Sequence, residues 1–177
     1  MTTLGLYAYS MALIDSVEKE NIEAESLNAY YNIKNAKETI KTKGLNAAIP
    51  YFDAAGSSIK WIIDTIVNVS GGINSYNFRQ FGLYNYSTII NYVNSSAVKE
   101  AWGVPANITF VQNADLVNKA LSRWDIKLSY ADDMAFVLNR TRVLLYNGQD
   151  DLVCNTPGAL EWLGKMQWDG NADFYNA

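Results

Sequence analysis

The residues best placed to do chemistry sit near the C-terminal end of the chain. Asp150 and Asp151 follow an apolar run of strand length, residues 142–146 (R-V-L-L-Y), across an Asn147–Gly148 break, and a helix is expected to restart near Pro157. A buried strand, a tight turn and a helix in that order is the unit of a parallel sheet. Side chains just past the carboxyl end of such a strand project into the crevice where these sheets hold their sites. An aspartate there can serve as a triad acid, orienting a histidine and stabilising its imidazolium. The same residues also fit a solvated turn, or a helix N-terminal acid favoured by the dipole. The sequence contains no histidine, so within this chain no Ser-His-Asp or Cys-His nucleophile, histidine general base or histidine metal site can be assembled. Its single cysteine, Cys154, excludes an intrachain disulfide and a cysteine-built zinc site. Gly56-Ser57-Ser58 fits neither a nucleophile elbow nor a phosphate loop and reads as a helix start. Asp132 and Asp133 are adjacent on an expected helix and point apart, which suits a solvated face better than paired-carboxylate catalysis.

These candidates belong to a chain of 177 residues and 19.8 kDa, enough for one domain, or a small domain with an appendage. It is 49% hydrophobic and 18% charged, so it can bury a core. Net charge is −4 and the pI about 4.8, which gives no basic footprint for nucleic acid. No apolar run reaches membrane-spanning length, and residues 1–14 lack the basic start and cleavage site of a signal peptide. Asn-x-Ser/Thr sequons at Asn68, Asn85, Asn94, Asn107 and Asn139 permit a secretory compartment without establishing it.

Several elements are expected to position these residues. Asp15 and Glu18 have capping-box spacing, and Ile22, Ala29, Ile33, Ala36 and Ile40 recur at helical spacing up to a stop at Gly44. A second amphipathic helix is expected to follow Ser57-Ser58, carry Ile59, Ile62, Ile63 and Ile66 on one stripe, and end at Gly71-Gly72. Together they make a helical hairpin or small bundle. Short helices are expected from Ser87 to Val93, from Ala97 to Trp102 with a stop at Gly103, from Asp115 to Trp124, and over about 130–139. Residues 108–111 read as extended.

The stretch from Val143 to Asn155, V-L-L-Y-N-G-Q-D-D-L-V-C-N, resembles the segment bearing the catalytic aspartate of the serine carboxypeptidases, V-L-I-Y-x-G-D-x-D-x-x-C-N. The likeness continues through Gly158, Trp162, Trp168, Gly170 and Phe174. Upstream, residues 92–104 resemble the family's Y-L-N-x-x-x-V-(K/R)-x-A-L-G-V. Tyr76-Asn77-Phe78-Arg79 is similar to its Y-D-I-R, Tyr7-Ala8-Tyr9 to its Y-A-Y, and Ala12-Leu13-Ile14-Asp15 to its G-L-I-D. The blocks follow family order and cover nearly the whole chain.

The resemblance implies an α/β class: part of an α/β-hydrolase fold, with a helical cap insertion over residues 1–75 and a section of the core sheet over 76–177. It implies a serine-type peptidase that removes the C-terminal residue of peptides through an acyl-enzyme. Asp151 falls on the triad acid, and Gln149 replaces the motif's first aspartate. Cys154 falls on a cysteine beside the substrate pocket; its residue type alone fits a buried small apolar side chain equally well. The family's nucleophile motif G-E-S-Y-A-G belongs before the first matching block and its histidine motif G-H-x-V-P after the last, so this chain is expected to be an internal fragment, inactive alone. The implied partner is a peptide with a free C-terminal carboxylate, with no cofactor, metal, nucleic acid or membrane, in a vacuole, a lysosome or outside the cell. A carboxypeptidase-like acyltransferase and a non-catalytic remnant that binds a partner through its cap helices are the alternatives.

Overall fold

The computed structural model describes residues 3–122 and 128–176. The chain divides into two units, one made of the residues up to Gly82 together with those from Ser129, the other of Leu83–Leu128. Among the described residues the structure is mostly helical, with one small antiparallel sheet.

The first unit is organised by a long helical hairpin. Helix α1 (Leu4–Ser10) ends in a turn whose residue Ala12 has φ +56°, and the chain then enters α2 (Ser16–Lys43) through Asp15. The expected capping box is formed. Asp15 Oδ1 accepts the N–H groups of Val17 (2.7 Å) and Glu18 (3.0 Å), and Glu18 reaches back to the Asp15 N–H. One residue, Gly44 at φ +81°, separates α2 from α3 (Leu45–Val69), where a side chain would be strained. Small residues line much of the seam: Ser26, Ala29 and Ala36 on α2, and Ala48, Ala55 and Ser58 on α3, are all buried. Their seven-residue spacings (29 and 36, 48 and 55) keep one narrow stripe facing the partner helix. Short side chains there let the two backbones approach closely.

Helix α3 begins twelve residues earlier than the Ser57 start expected from the sequence. Pro50 removes one backbone bond in its second turn, and Gly56 lowers its intrinsic helicity, yet burial of Ala48 and Ala55 carries the helix through both. It closes as the sequence suggests. The Gly71 N–H reaches Asn68 O and the Gly72 N–H reaches Val67 O, which satisfies the last carbonyls of the helix. Strands β1 (Ile73–Asn74) and β2 (Asn77–Phe81) then pair antiparallel, with a bulge between the two residues of β1.

Leu4, Tyr7, Ala8, Ile14, Ile22, Ile62, Ile66, Ile73 and Leu152 form the main core. A smaller cluster joins α7 (Ala131–Leu138) to α8 (Thr156–Lys165) through Ala135, Leu163 and Met166; α9 (Asn171–Asn176) follows.

Residues 142–146 differ from expectation. They form no strand, and Leu144 and Tyr146 are each 86% exposed. A strand exists only by pairing, and the one sheet among the described residues is the β1–β2 hairpin, so no parallel strand-turn-helix unit is completed here.

In the second unit, α4 (Ser87–Val93) and α5 (Ser96–Ala101) match the expected helices, the latter closed by Gly103. Helix α6 is described over Asp115–Ser122, and residues 123–124 of its expected span lie outside the described residues. Residues 108–111 are irregular rather than a strand. Their backbone is met by a side chain: Asn94 accepts the Phe110 N–H (2.8 Å) and donates to Phe110 O (2.9 Å).

Candidate active-site loop

Residues 147–155 form a loop built around one buried anchor. Leu152 is fully buried in the main core beside Ile22, Ile62 and Ile66, which fixes the middle of the loop against the helical hairpin. Its far end is tied by Asn155, itself buried. The Asn155 side chain donates to Leu152 O (3.0 Å) and accepts both the Gly158 N–H (2.8 Å) and the Thr3 hydroxyl (2.8 Å). One asparagine thereby caps α8, closes the loop and holds the chain just before α1.

Asp151 lies next to that anchor and is half-buried. Its Oδ1 accepts the Cys154 N–H at 2.8 Å, and its own N–H reaches Gly148 O at 3.3 Å. Asn147 Nδ2 donates to Cys154 O at 2.8 Å, so the loop is braced across its own width. Asp150 points elsewhere. Its Oδ2 stands 2.8 Å from Arg79 Nε, and its carbonyl accepts the Phe78 N–H at 3.0 Å. The adjacent carboxylates therefore have different partners.

The β1–β2 turn holds the loop as a neighbouring strand would. Ser75 O accepts the N–H groups of Leu152 (3.0 Å) and Val153 (3.3 Å), while Phe78 takes residue 150. From α1, the Tyr7 hydroxyl donates to Gln149 O at 2.5 Å. Burial pushes the Tyr7 phenol up from its ordinary pKa, and the charges of Asp150 and Asp151 push it the same way, so it remains a donor at neutral pH.

Cys154 is exposed rather than buried, and lines an open cleft of about 710 Å³ together with Leu4, Ile33, Ile59 and Trp162. Asp132 and Asp133 are exposed on α7, as their adjacent positions suggest. Among the described residues no group of three or more acidic or cysteine side chains could hold a metal ion. No helix among them is long and apolar enough to cross a membrane.

The motif singles out Asp151 as the candidate, whereas the residues that hold its loop carry weaker signals. Asn155 carries a signal, an N-cap residue two positions before Pro157. Tyr7 and Arg79 stand out only as members of separate blocks, Y-A-Y and Y-N-F-R. The structure brings those two blocks to the aspartate segment.

An Asp carboxylate with one oxygen engaged by a backbone N–H, on a loop tied at several points, is suited to orienting a polar hydrogen brought by another group. Comparison with known proteins places the chain in a family. The model of the serine carboxypeptidase family matches residues 1–177. Serine carboxypeptidase-like 48 of Arabidopsis thaliana is 28% identical over 97% of this chain and 33% of its own length. Serine carboxypeptidase 3 of Hordeum vulgare is 30% identical over 95% of this chain and 32% of its own. Serine carboxypeptidase S10 family member 1 of Dictyostelium discoideum is 28% identical over 66% of the chain and 29% of its own length. The chain thus spans about a third of the length of the curated relatives it matches. No solved structure matches it. With the family model aligned along its whole length, the chain belongs to the serine carboxypeptidase family.

Proposed function

We propose that this chain is the section of a serine-type carboxypeptidase that supplies the acid of the catalytic triad, Asp151. The observation that carries the proposal is the loop geometry within a family-wide match: Asp151 is half-buried, tied through Oδ1 to the Cys154 N–H, and flanked by tethered residues on both sides. In the complete protein a histidine from another segment donates its Nδ1–H to Asp151. That histidine removes the proton of a serine hydroxyl as the hydroxyl attacks the last peptide carbonyl, and returns it to the leaving amino acid. Water then releases the acyl-enzyme. Asp151 keeps the imidazole in the productive tautomer and offsets the charge it gains.

The complete protein would have an α/β-hydrolase fold, with residues 1–75 belonging to the helical cap and residues 76–177 to the core. The exposed apolar segment 142–146 supports this, because it has the composition of a core strand and pairs with no strand among the described residues. Cys154 would border the pocket for a peptide with a free C-terminal carboxylate, and the enzyme would work in the secretory pathway, in a vacuole or lysosome or outside the cell. The 177-residue chain alone, with no histidine, would not hydrolyse peptides.

The test is Asp151→Asn in the complete protein, assayed on a blocked dipeptide. The expected outcome is a loss of about 10³–10⁴ in kcat with the fold intact, since the tautomer is no longer set. Asp150→Asn should cost far less. Comparable losses in both variants would overturn the assignment of Asp151.

A further inference from the structure

The acid loop carries a charge that the family pattern does not ask for at that position. The pattern puts its first acid where this chain has Gln149, whose backbone carbonyl is engaged by Tyr7. The negative charge stands one residue later, at Asp150, and is paired with Arg79 on β2 at 2.8 Å. The side chain of Asp150 is only 24% exposed, whereas that of Arg79 is 69% exposed.

Residue 150 is thus gripped twice by consecutive residues of one strand, through its carbonyl by the Phe78 N–H and through its carboxylate by Arg79. On the far side of Asp151, Ser75 O takes the Leu152 and Val153 N–H groups. Asp151 is therefore suspended between two segments that the β1–β2 hairpin holds, and its orientation is read out by one bond, from the Cys154 N–H to its Oδ1.

We infer that Arg79 is a positioning residue for Asp151: by pairing with Asp150 it fixes the loop conformation in which Asp151 Oδ1 takes the Cys154 N–H. The inference rests on the proposed catalytic role of Asp151, but the contact geometry stands apart from any hydrolysis. Arg79 touches no reacting group and acts through residue 150. Without its guanidinium, the carboxylate of Asp150 loses its charged partner, so it turns toward water and takes the backbone on the near side of Asp151 with it.

The test uses the complete protein that contains this chain and reads individual amides by hydrogen exchange and NMR. In Arg79→Gln, exchange at the Cys154 N–H should quicken about fivefold, in the range of a partly exposed ion pair, and its resonance should move toward the random-coil position. Asp150→Asn should reproduce both changes. Arg79→Lys should retain most of the protection, and the double change Arg79→Asp with Asp150→Arg should restore it to within about twofold. Core amides of α2 and α3 should exchange at the original rate throughout.

An unchanged Cys154 N–H in both single variants would overturn the inference. So would acceleration shared equally by α2 and α3, which marks general loss of stability, or failure of the charge exchange to restore protection. Because no readout involves peptide cleavage, the two proposals fail separately. Loss of hydrolysis in Asp151→Asn with no exchange effect at Arg79 removes only Arg79. An exchange effect with no hydrolytic loss removes only the triad role.

Discussion

At the scale of single residues, the chain carries a strained backbone position just after α1. Ala12 sits at φ +56° in the turn closing α1, where its N–H reaches Tyr9 O and the next N–H reaches Ala8 O. That left-handed position favours glycine, and the family's G-L-I-D pattern has glycine at this place. Ala12→Gly should therefore relieve the Cβ clash by more than the added chain entropy costs, and stabilise the protein by about 1 kcal/mol. In a thermal melt the midpoint should rise by roughly 2–4 °C at this chain length. A lower midpoint would show that the turn is held by something other than its hydrogen bonds. At Asp151 and Asp150 the lesson is the opposite one: two identical side chains, adjacent in sequence, take separate partners, a backbone N–H and a guanidinium, that no spacing rule reveals.

At the scale of elements, the start of α2 offers a pH test. Hydrogen bonding to the Glu18 side chain, and then to the N–H groups of Glu18 and Val17, holds the Asp15 carboxyl below its usual pKa. A carboxyl lowered in the folded state contributes stability above its unfolded pKa of about 3.9, and that contribution is lost as pH falls through the folded value. Asp15→Asn keeps a capping oxygen but cannot titrate. Urea midpoints should then match at pH 7, while the variant loses less stability than the parent between about pH 5 and pH 2. Parallel acid limbs would place the acid sensitivity elsewhere.

The capping box, the Gly44 and Gly71–Gly72 stops and the apolar stripes were legible because each depends on residues within a few positions of one another. The start of α3 was hidden because Pro50 and Gly56 speak locally against a helix, while the Ala48 and Ala55 contacts with α2 that outweigh them are tertiary. Residues 142–146 misled in the other direction. A strand-like composition describes a segment fit for a sheet, but the pairing must come from another chain segment, which the described residues do not supply. In the same way the motif marks Asp151 only as a candidate. Its supports, Tyr7, Ser75, Phe78 and Arg79, come from segments about 70 to 140 residues away, and only the fold brings them together.

At the scale of the whole molecule, the chain combines a packed core with strongly exposed apolar side chains. The helical hairpin, the β1–β2 turn and Leu152 pack together, while Leu144 and Tyr146 beside the acid loop, and Leu83 and Leu116 in the second unit, stand more than four-fifths exposed. Apolar side chains left in water at that level fit a protein in which other segments cover them. That agrees with a chain spanning about a third of its relatives' length. The most direct test is to immunoprecipitate the native polypeptide from its source cells with an antibody raised to this chain. It is then sized on a reducing gel, and the same precipitate is assayed for release of the C-terminal residue from a blocked dipeptide. The predicted result is a band far above 19.8 kDa together with hydrolysis. A 19.8 kDa polypeptide that hydrolyses the substrate by itself, or a larger one that does not hydrolyse it, would contradict the assignment of this chain as the acid-bearing section of a serine carboxypeptidase.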